Sequence, residues 1–248
     1  MLAQGCTGAY TKILPRIRWR VNPLDATYPG REFAYTDEQI ASLRASISSD
    51  RFSHHLLLCQ SDERQAIRRY EHNTALSETL FGVLQGFEVT LRNAMHDTMI
   101  AATSHADWFN HFGLDAPEEE SITAAKEKIT KKRKLVTPSR VVAELTFGFW
   151  AALTAKRYAK KLWIPHLNKA FRHKQLGHGV VFQRLTSIRL LRNQIAHHEC
   201  ILHRDLAHDY NQIIEGTSWI CPHTASWIRR STRFEACYRY LFKEEAIR

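Results

Sequence analysis

The sequence predicts an all-α protein, and three observations support that prediction. Apolar residues recur at intervals of three and four over long stretches, which places them on one face of a helix. Only ten glycines and seven prolines occur in 248 residues, too few for a turn-rich β architecture. Capping residues precede several of the periodic stretches. We expect residues 36–248 to form a single all-helical domain and residues 1–35, which lack a sustained period, to form an irregular N-terminal arm.

The first part of the chain predicts one short and one long helix. Residues 37–50 begin with a capping-box spacing, because Gln39 follows Thr36 by three positions. A longer helix is expected over residues 62–102. Its apolar face is formed by Leu76, Leu80, Val83, Leu84, Phe87, Leu91 and Met95.

The middle of the chain predicts a loop followed by two helices. We expect Trp108 and Phe109 to anchor the loop, residues 107–117, in the core. A helix over 118–134 begins with glutamates and ends with lysines, an order that suits the helix dipole. The next helix is predicted to start at Pro138 and to continue unbroken through VVAELTFGFWAALTAKRYAKK.

The segment 182–203, FQRLTSIRLLRNQIAHHECILH, predicts an amphipathic helix of particular interest. Its buried face is expected to hold Ile188, Leu191, Ile195 and Leu202. A further helix is expected after it, ending near Gly216, and aromatic packing residues close the chain.

Charge and cysteine content narrow the classes of partner and compartment. Lys and Arg number 35 against 25 Asp and Glu, and the formal net charge of +10 favours a polyanionic partner, although many basic proteins bind none.

Five scattered cysteines without a CxxC pair are typical of a reducing cytosol, so we expect a cytoplasmic protein. No apolar run reaches about eighteen residues, and the N-terminus lacks the order of a signal peptide, so neither a membrane span nor export is expected.

Arg192, Asn193 and His197 form an unusual polar group beside the apolar face of the 182–203 helix. On an ideal helix, Asn193 and His197 lie about 40° apart and can touch, whereas Arg192 lies about 140° from His197. Arg192 must therefore bend round the helix, the helix must distort, or a second copy must supply the arginine.

These residue types suit metal-free cleavage of a phosphodiester. A histidine can move a proton to or from a ribose 2′-hydroxyl or a leaving oxygen near neutral pH. An arginine can hold the phosphate and offset the charge that develops on it. The alternative is structural: Asn193 and the histidines bond to neighbouring helices while Arg192 extends to solvent.

RNQIAHHECIL resembles the Arg-x4-6-His signature of the HEPN superfamily, and its surroundings resemble the Abi-like (abortive infection) family within it. Further segments occur in the order that this family shows, over roughly residues 36–230. They are RYEHNTALSETL, FEVTLRNAMHD, DWF and ELTFGFWAAL before the signature and SWICPHTASWI after it.

The resemblance implies a HEPN-like helical bundle, here with additional N-terminal helices, that is frequently dimeric. Members act as or resemble metal-independent endoribonucleases in phage defence or toxin systems. The family's arginine, polar residue and histidine fall on Arg192, Asn193 and His197, and His198 matches a second histidine without an assigned role. The expected partners are RNA, a second copy of the chain and an antitoxin of protein or RNA, with no membrane partner and no cofactor.

Glu88, Arg92, Asn93 and His96 form a second cluster on the long helix. Glu88 and Arg92 are four residues apart, as are Arg92 and His96, so the three lie nearly in a row. We expect a structural role, in which Glu88 pairs with Arg92 and Asn93 bonds a nearby backbone. A supporting role beside the active site is the alternative.

Two further sets complete the predicted site. Glu144 lies among aromatic residues, so its carboxylate needs a cationic partner. If Glu144 pairs with Arg192, it lies beside the site. If it pairs with Arg92, its role is structural. A basic segment precedes the signature and supplies the candidates for contact with RNA phosphates. These are Lys160, Lys161, Lys169, Arg172 and Lys174, for which a solvated surface is the alternative.

No metal site is expected, because His197, His198, Cys200 and His203 would point in different directions from one helix. The chain also lacks the GxxxxGK[ST], GxGxxG, HExxH and GxSxG motifs. Two hypotheses therefore stand at this point: a metal-independent endoribonuclease, and a non-catalytic helical module that binds RNA or a protein.

Overall fold

A computed structural model describes residues 35–245, with side chains described through residue 242. The prediction of an all-α protein is confirmed, since no strand occurs in this part of the chain. The predicted N-terminal arm lies outside the described residues, except for Tyr35. The α-helices of the described region are α1 (Asp37–Ile47), α2 (Ser49–Leu58), α3 (Glu63–Thr103), α4 (Ala116–Lys131), α5 (Pro138–Glu144), α6 (Phe147–Ala152), α7 (His178–Ala196), α8 (Leu206–Ile220), α9 (Pro222–Ser231) and α10 (Phe234–Glu245).

Helix α1 begins where its capping box predicts. The Gln39 backbone N–H donates to the Thr36 hydroxyl oxygen (3.2 Å), and the Thr36 N–H donates to the Gln39 side-chain oxygen (2.9 Å). Two N–H groups that the first turn of a helix leaves without intrahelical partners are thereby satisfied.

Helix α3 is the central element. Its 41 residues span about 60 Å, and one face is buried along the whole length, from Ala66 to Met99. That face packs against α2 and against α6 through α10. The loop after α3 is anchored as predicted, because Trp108 and Phe109 are both buried.

A second, smaller core lies at the N-terminal end of α3. It is separate from the main core and consists of four buried residues, Ile40, Phe52, Ala66 and Ile67, with partly buried side chains around them. Helices α1 and α2 are held against α3 by this small cluster. The position of α2 relative to the rest of the molecule therefore depends on few apolar contacts.

The predicted unbroken helix after Pro138 is wrong. The chain leaves helical geometry at Leu145, whose backbone is extended (φ −66°, ψ 135°), and a new helix, α6, starts at Phe147. The break lets Leu145, Phe147 and Trp150 all reach the core. Burial of these side chains outweighs the modest helix propensity of the segment.

Helices α7 and α8 run in opposite directions. In the first half of α7, the Arg184 guanidinium donates to the Gln212 carbonyl oxygen (3.0 Å), near the middle of α8, and pairs with Glu215 (2.9 Å), nearer its end. The C-terminal end of α7 and the start of α8 consequently lie together, joined by a turn. α8 continues past the predicted end near Gly216, to Ile220.

None of the helices between residues 35 and 245 combines the length and apolar content needed to cross a bilayer.

The buried His55 predicts a pH-dependent stability. Burial, together with the nearby His54 and Arg69, lowers the pKa of His55 to about 4, whereas an unfolded histidine has a pKa of about 6.5. Below pH 6.5 the unfolded chain takes up a proton that the folded chain excludes, so stability falls as the pH drops from 6.5 towards 4.

Urea unfolding at pH 7.5 and pH 5 tests this linkage. We expect His55→Phe, which keeps a ring beside Tyr70, to lessen the loss of stability between the two pH values by roughly 1–2 kcal/mol. His223→Phe, an exposed position on α9, serves as the control and should leave the loss unchanged. Equal pH dependence in the wild type and His55→Phe would rule out the linkage.

Candidate functional site

The candidate site is built on the C-terminal end of α7, which ends earlier than predicted. Ala196 is the last helical residue, and the chain then turns. The His198 N–H donates to the Ile195 carbonyl (3.1 Å), and the Glu199 N–H donates to the Gln194 carbonyl (2.9 Å). These two hydrogen bonds form a Schellman motif, which directs His197 and His198 out of the helix into solvent.

His198 occupies the position of this motif that normally favours glycine. Its φ of +57° lies in the left-handed region, where a residue with a β-carbon is disfavoured by about 1–2 kcal/mol. The absence of a glycine explains why the sequence predicted a longer helix.

A buried asparagine fixes the turn after the two histidines. Asn73, on α3, is 5% exposed. Its side-chain amide donates to the Glu199 carbonyl oxygen (3.2 Å) and accepts from the Ile201 N–H (2.8 Å). Sequence reasoning missed this residue, although its signal is present, because Asn73 occupies a core position three residues before Leu76 in the apolar period of α3.

An ion pair braces the same turn from the α8 side. Arg204 donates two hydrogen bonds to the Asp209 carboxylate (2.7 and 2.8 Å) and a third to the Gln194 side-chain oxygen (3.2 Å). The carboxylate raises the pKa of Arg204 through these bonds. The end of α7 is thus tied to the start of α8 by a bidentate, charge-assisted pair.

A cleft of about 570 Å³ opens between this turn and α2. His197 and His198 line one side, and residues of α2 that were not predicted to belong to the site line the other. Neither Arg192 nor Asn193 lines it. The complete lining is Asp50, Arg51, His54, His55, Tyr70, Gln194, His197, His198, Glu199, Cys200 and His203.

Arg192 is held away from the cleft by an ion pair. Its Nε donates to a carboxylate oxygen of Glu88 at 3.1 Å, and both side chains are partly buried. The structure therefore does not gather Arg192, Asn193 and His197 into one site within a single chain. The expected pairing of Glu88 with Arg92 is wrong, because Glu88 pairs with Arg192.

The remaining members of the second cluster have structural partners. Arg92 donates to the Asn93 side-chain oxygen (3.2 Å), so the expected bond from Asn93 to a backbone group gives way to a side-chain contact. His96 accepts a hydrogen bond from the Trp108 indole N–H (2.9 Å), and burial lowers the pKa of His96. The bond between Trp108 and His96 ties α3 to the loop that follows it.

The expected pairing of Glu144 with Arg192 or Arg92 is also wrong. Lys128 of α4 and Lys132, the residue that follows this helix, each lie 2.6 Å from the Glu144 carboxylate. Their hydrogen bonds lower the pKa of Glu144 to about 2. Glu144 joins α4 to α5 and is not part of the cleft.

The predicted basic rim does not border the cleft. Lys174 pairs with Glu215 (3.2 Å), which also binds Arg184, and Arg184 precedes His197 by about 20 Å along the helix axis. Lys161 donates to the Gly113 carbonyl. Lys160, Lys169 and Arg172 are exposed elsewhere on the same segment.

One histidine cluster in the described region has ligand atoms close enough to consider for a metal. His105, Asp107 and His111 offer atoms that all lie within 4.8 Å of one another. The two imidazole rings stack face to face, with centroids 4.4 Å apart and planes 20° apart. Because the lone pair of a ring nitrogen lies in the ring plane, nearly parallel stacked rings do not point at a common ion.

The amide of Asn73 should contribute strongly to stability. We expect Asn73→Ala to lower the free energy of unfolding by about 2–4 kcal/mol, since it leaves the buried Ile201 N–H and the Glu199 carbonyl without partners. Urea unfolding measures the loss, and hydrogen exchange should show that the Ile201 amide loses protection. Thr74→Ala, at the exposed neighbouring position, is the control, and equal stability of the two variants would contradict the bracing role.

Comparison of the chain with protein-family models, with curated proteins and with solved structures finds no match.

Proposed function

We propose that the protein is a metal-independent endoribonuclease of the Abi-like, HEPN-type helical class, with His197 as the residue that transfers a proton. One observation carries this proposal: two adjacent histidines, His197 and His198, are exposed at a braced helix end that borders a cleft. Imidazole in an accessible cleft is the group best suited to general acid–base catalysis near neutral pH.

The reaction follows from the chemistry of RNA. His197 accepts the proton of a ribose 2′-hydroxyl, the 2′-oxygen attacks the adjacent phosphorus, and the bond to the 5′-oxygen breaks. The leaving oxygen takes up a proton, for which His198 and His203 line the same cleft. The products are a 2′,3′-cyclic phosphate and a 5′-hydroxyl end, so a substrate that lacks the 2′-hydroxyl should not be cut.

The backbone of His198 supports a functional use of this turn. Glycine at this position would remove the cost of the left-handed conformation. Strained residues that a structure retains are concentrated at functional sites. The turn places an imidazole where folding alone favours glycine.

Arg192 is proposed to serve His197 from a second copy of the chain. Within one chain it is bound to Glu88 on α3. The resemblance to the Abi-like family supports a homodimer, and in this proposal Arg192 lies near its interface.

A non-catalytic role is the second candidate. The ion pair between Arg192 and Glu88 favours it, because it neutralises the arginine within one chain. In that case the protein binds RNA or a protein without turnover. A role in phage defence, a cognate antitoxin and a cytoplasmic location are further parts of the proposal that rest on the resemblance to the Abi-like family.

Cleavage in the presence of a chelator tests the endoribonuclease proposal. The purified protein should cut RNA in excess EDTA, and His197→Ala should lower the rate by at least about 100-fold, since it removes the proton-transfer group. RNA binding and the unfolding midpoint should stay close to those of the wild type. His223→Ala, an exposed histidine on α9, is the matched control, and cleavage that persists in His197→Ala or that requires added metal would reject the mechanism.

Mixed dimers test the source of the arginine. Chains carrying Arg192→Ala and chains carrying His197→Ala are co-expressed with different affinity tags, and the heterodimer is isolated. If the arginine acts across the interface, one of the two sites is intact and about half of the wild-type activity returns. If both residues act from one chain, the heterodimer is inactive.

A further inference from the structure

Helix α2 supplies the second wall of the His197 cleft. Phe52 of α2 is 1% exposed and belongs to the small core, and His55 is 3% exposed and packs its ring against Tyr70. Arg51 and His54, each one position before a buried residue, are exposed and line the cleft. The sequence gives no hint of this arrangement, since Arg51 and His197 are 146 positions apart.

Arg51 lies beside the predicted catalytic histidine. Its Nη2 is 3.5 Å from the His197 carbonyl oxygen. In the described part of the chain no carboxylate pairs with Arg51, in contrast to Arg192, which Glu88 holds. A guanidinium carries five N–H donors, so one long contact leaves most of them available to a ligand.

Arg51 carries the permanent positive charge that the cleft can offer to an anion. Arg51 is the only arginine or lysine among the lining residues, whereas Asp50 and Glu199 contribute two carboxylates. The other cationic charge can come only from protonated imidazoles. Removal of Arg51 would leave a cleft without a permanent positive charge.

We propose that Arg51 binds a phosphate group of the RNA strand next to His197, so that α2 is the substrate-binding wall of the cleft. This inference rests on the proposed endoribonuclease function. Guanidinium groups bind phosphate oxygens through paired, charge-assisted hydrogen bonds. Arg51 supplies this contact within one chain, while Arg192 of a second copy acts from across an interface.

The cleft is large enough to hold a single nucleotide of an unpaired strand. Its volume of about 570 Å³ falls within the range of roughly 300–1,000 Å³ found for small-ligand pockets. The rings of His54 and Tyr70 line it, and histidine and tyrosine rings stack on the bases of unpaired RNA. An unpaired strand is therefore the appropriate probe.

A purely structural role for Arg51 must be separated from phosphate binding. The contact with the His197 carbonyl caps the C-terminal end of α7, where a cation is favourable. The salt dependence of RNA binding by Arg51→Gln separates the two roles, because loss of a helix cap alone would not change the number of phosphate contacts. Arg44→Gln is the control, since Arg44 is an exposed arginine on α1 that pairs with Glu63 (2.7 Å).

The experiment measures binding of the full-length chain to a fluorescent, single-stranded RNA with 2′-O-methyl groups, which cannot be cleaved. Anisotropy titrations are made at several salt concentrations. We expect Arg51→Gln to weaken binding by about tenfold or more. The slope of log affinity against log salt should become shallower by about 0.7, the value for one lost phosphate contact on a single strand. Arg44→Gln should match the wild type in both quantities.

Cleavage assays on unmodified RNA separate this inference from the proposed function. Arg51→Gln should raise KM more than it lowers kcat, and Arg51→Lys should restore part of the affinity. If His197→Ala abolishes cleavage while Arg51→Gln binds with the wild-type affinity and slope, the endoribonuclease proposal stands and the role of Arg51 is rejected. If Arg51→Gln weakens binding as expected but His197→Ala still cleaves, the catalytic proposal fails and the binding wall stands. Absence of RNA binding by the wild type would overturn both.

Discussion

Burial of one continuous face of α3 is the constraint on which the rest of the structure depends. The face runs from Ala66 to Met99, and α2 and α6 through α10 pack against it. Along most of this face the packing is apolar and sets no unique register. Asn73 is the exception, because its amide has both a donor and an acceptor partner, at Glu199 and Ile201. A buried amide that needs both partners fixes where the turn lies along α3.

The period of apolar residues was sufficient to predict the helices that depend on local signals. The capping box of α1 and the apolar period of α3 depend on residues three or four positions apart in sequence, and both are found. The end of α7 and the break at Leu145 were not predictable in this way. The end of α7 has a histidine where the Schellman motif favours glycine. The break at Leu145 depends on the packing of its side chain against core residues that are distant in sequence. In both places tertiary contacts outweigh a local preference of about 1 kcal/mol.

The choice of ion-pair partners shows why the site itself was only partly predictable. Spacing on a helix suggested that Glu88 would pair with Arg92, an interaction that is worth only about 0.3–0.5 kcal/mol on a solvated helix. In the folded chain Glu88 instead meets Arg192 from α7, in a partly buried position. The position of His197 at an accessible site was foreseeable from its residue type and neighbours. The second wall of the cleft, α2, meets the histidine turn through a contact between segments far apart in sequence. The spacing of residues along the chain does not reveal such a contact.

The two walls of the cleft differ in how firmly they are held. The wall that carries His197 is tied to α3 by Asn73 and to α8 by the pair of Arg204 with Asp209, and it borders the main core. The wall formed by α2 is attached through a separate and much smaller core around Phe52. Local opening costs less free energy where fewer apolar groups are buried. If Arg51 and the histidine turn bind an RNA phosphate as proposed, the phosphate would hold α2 more firmly against the rest of the molecule, while the wall that carries His197 is already held by its own contacts.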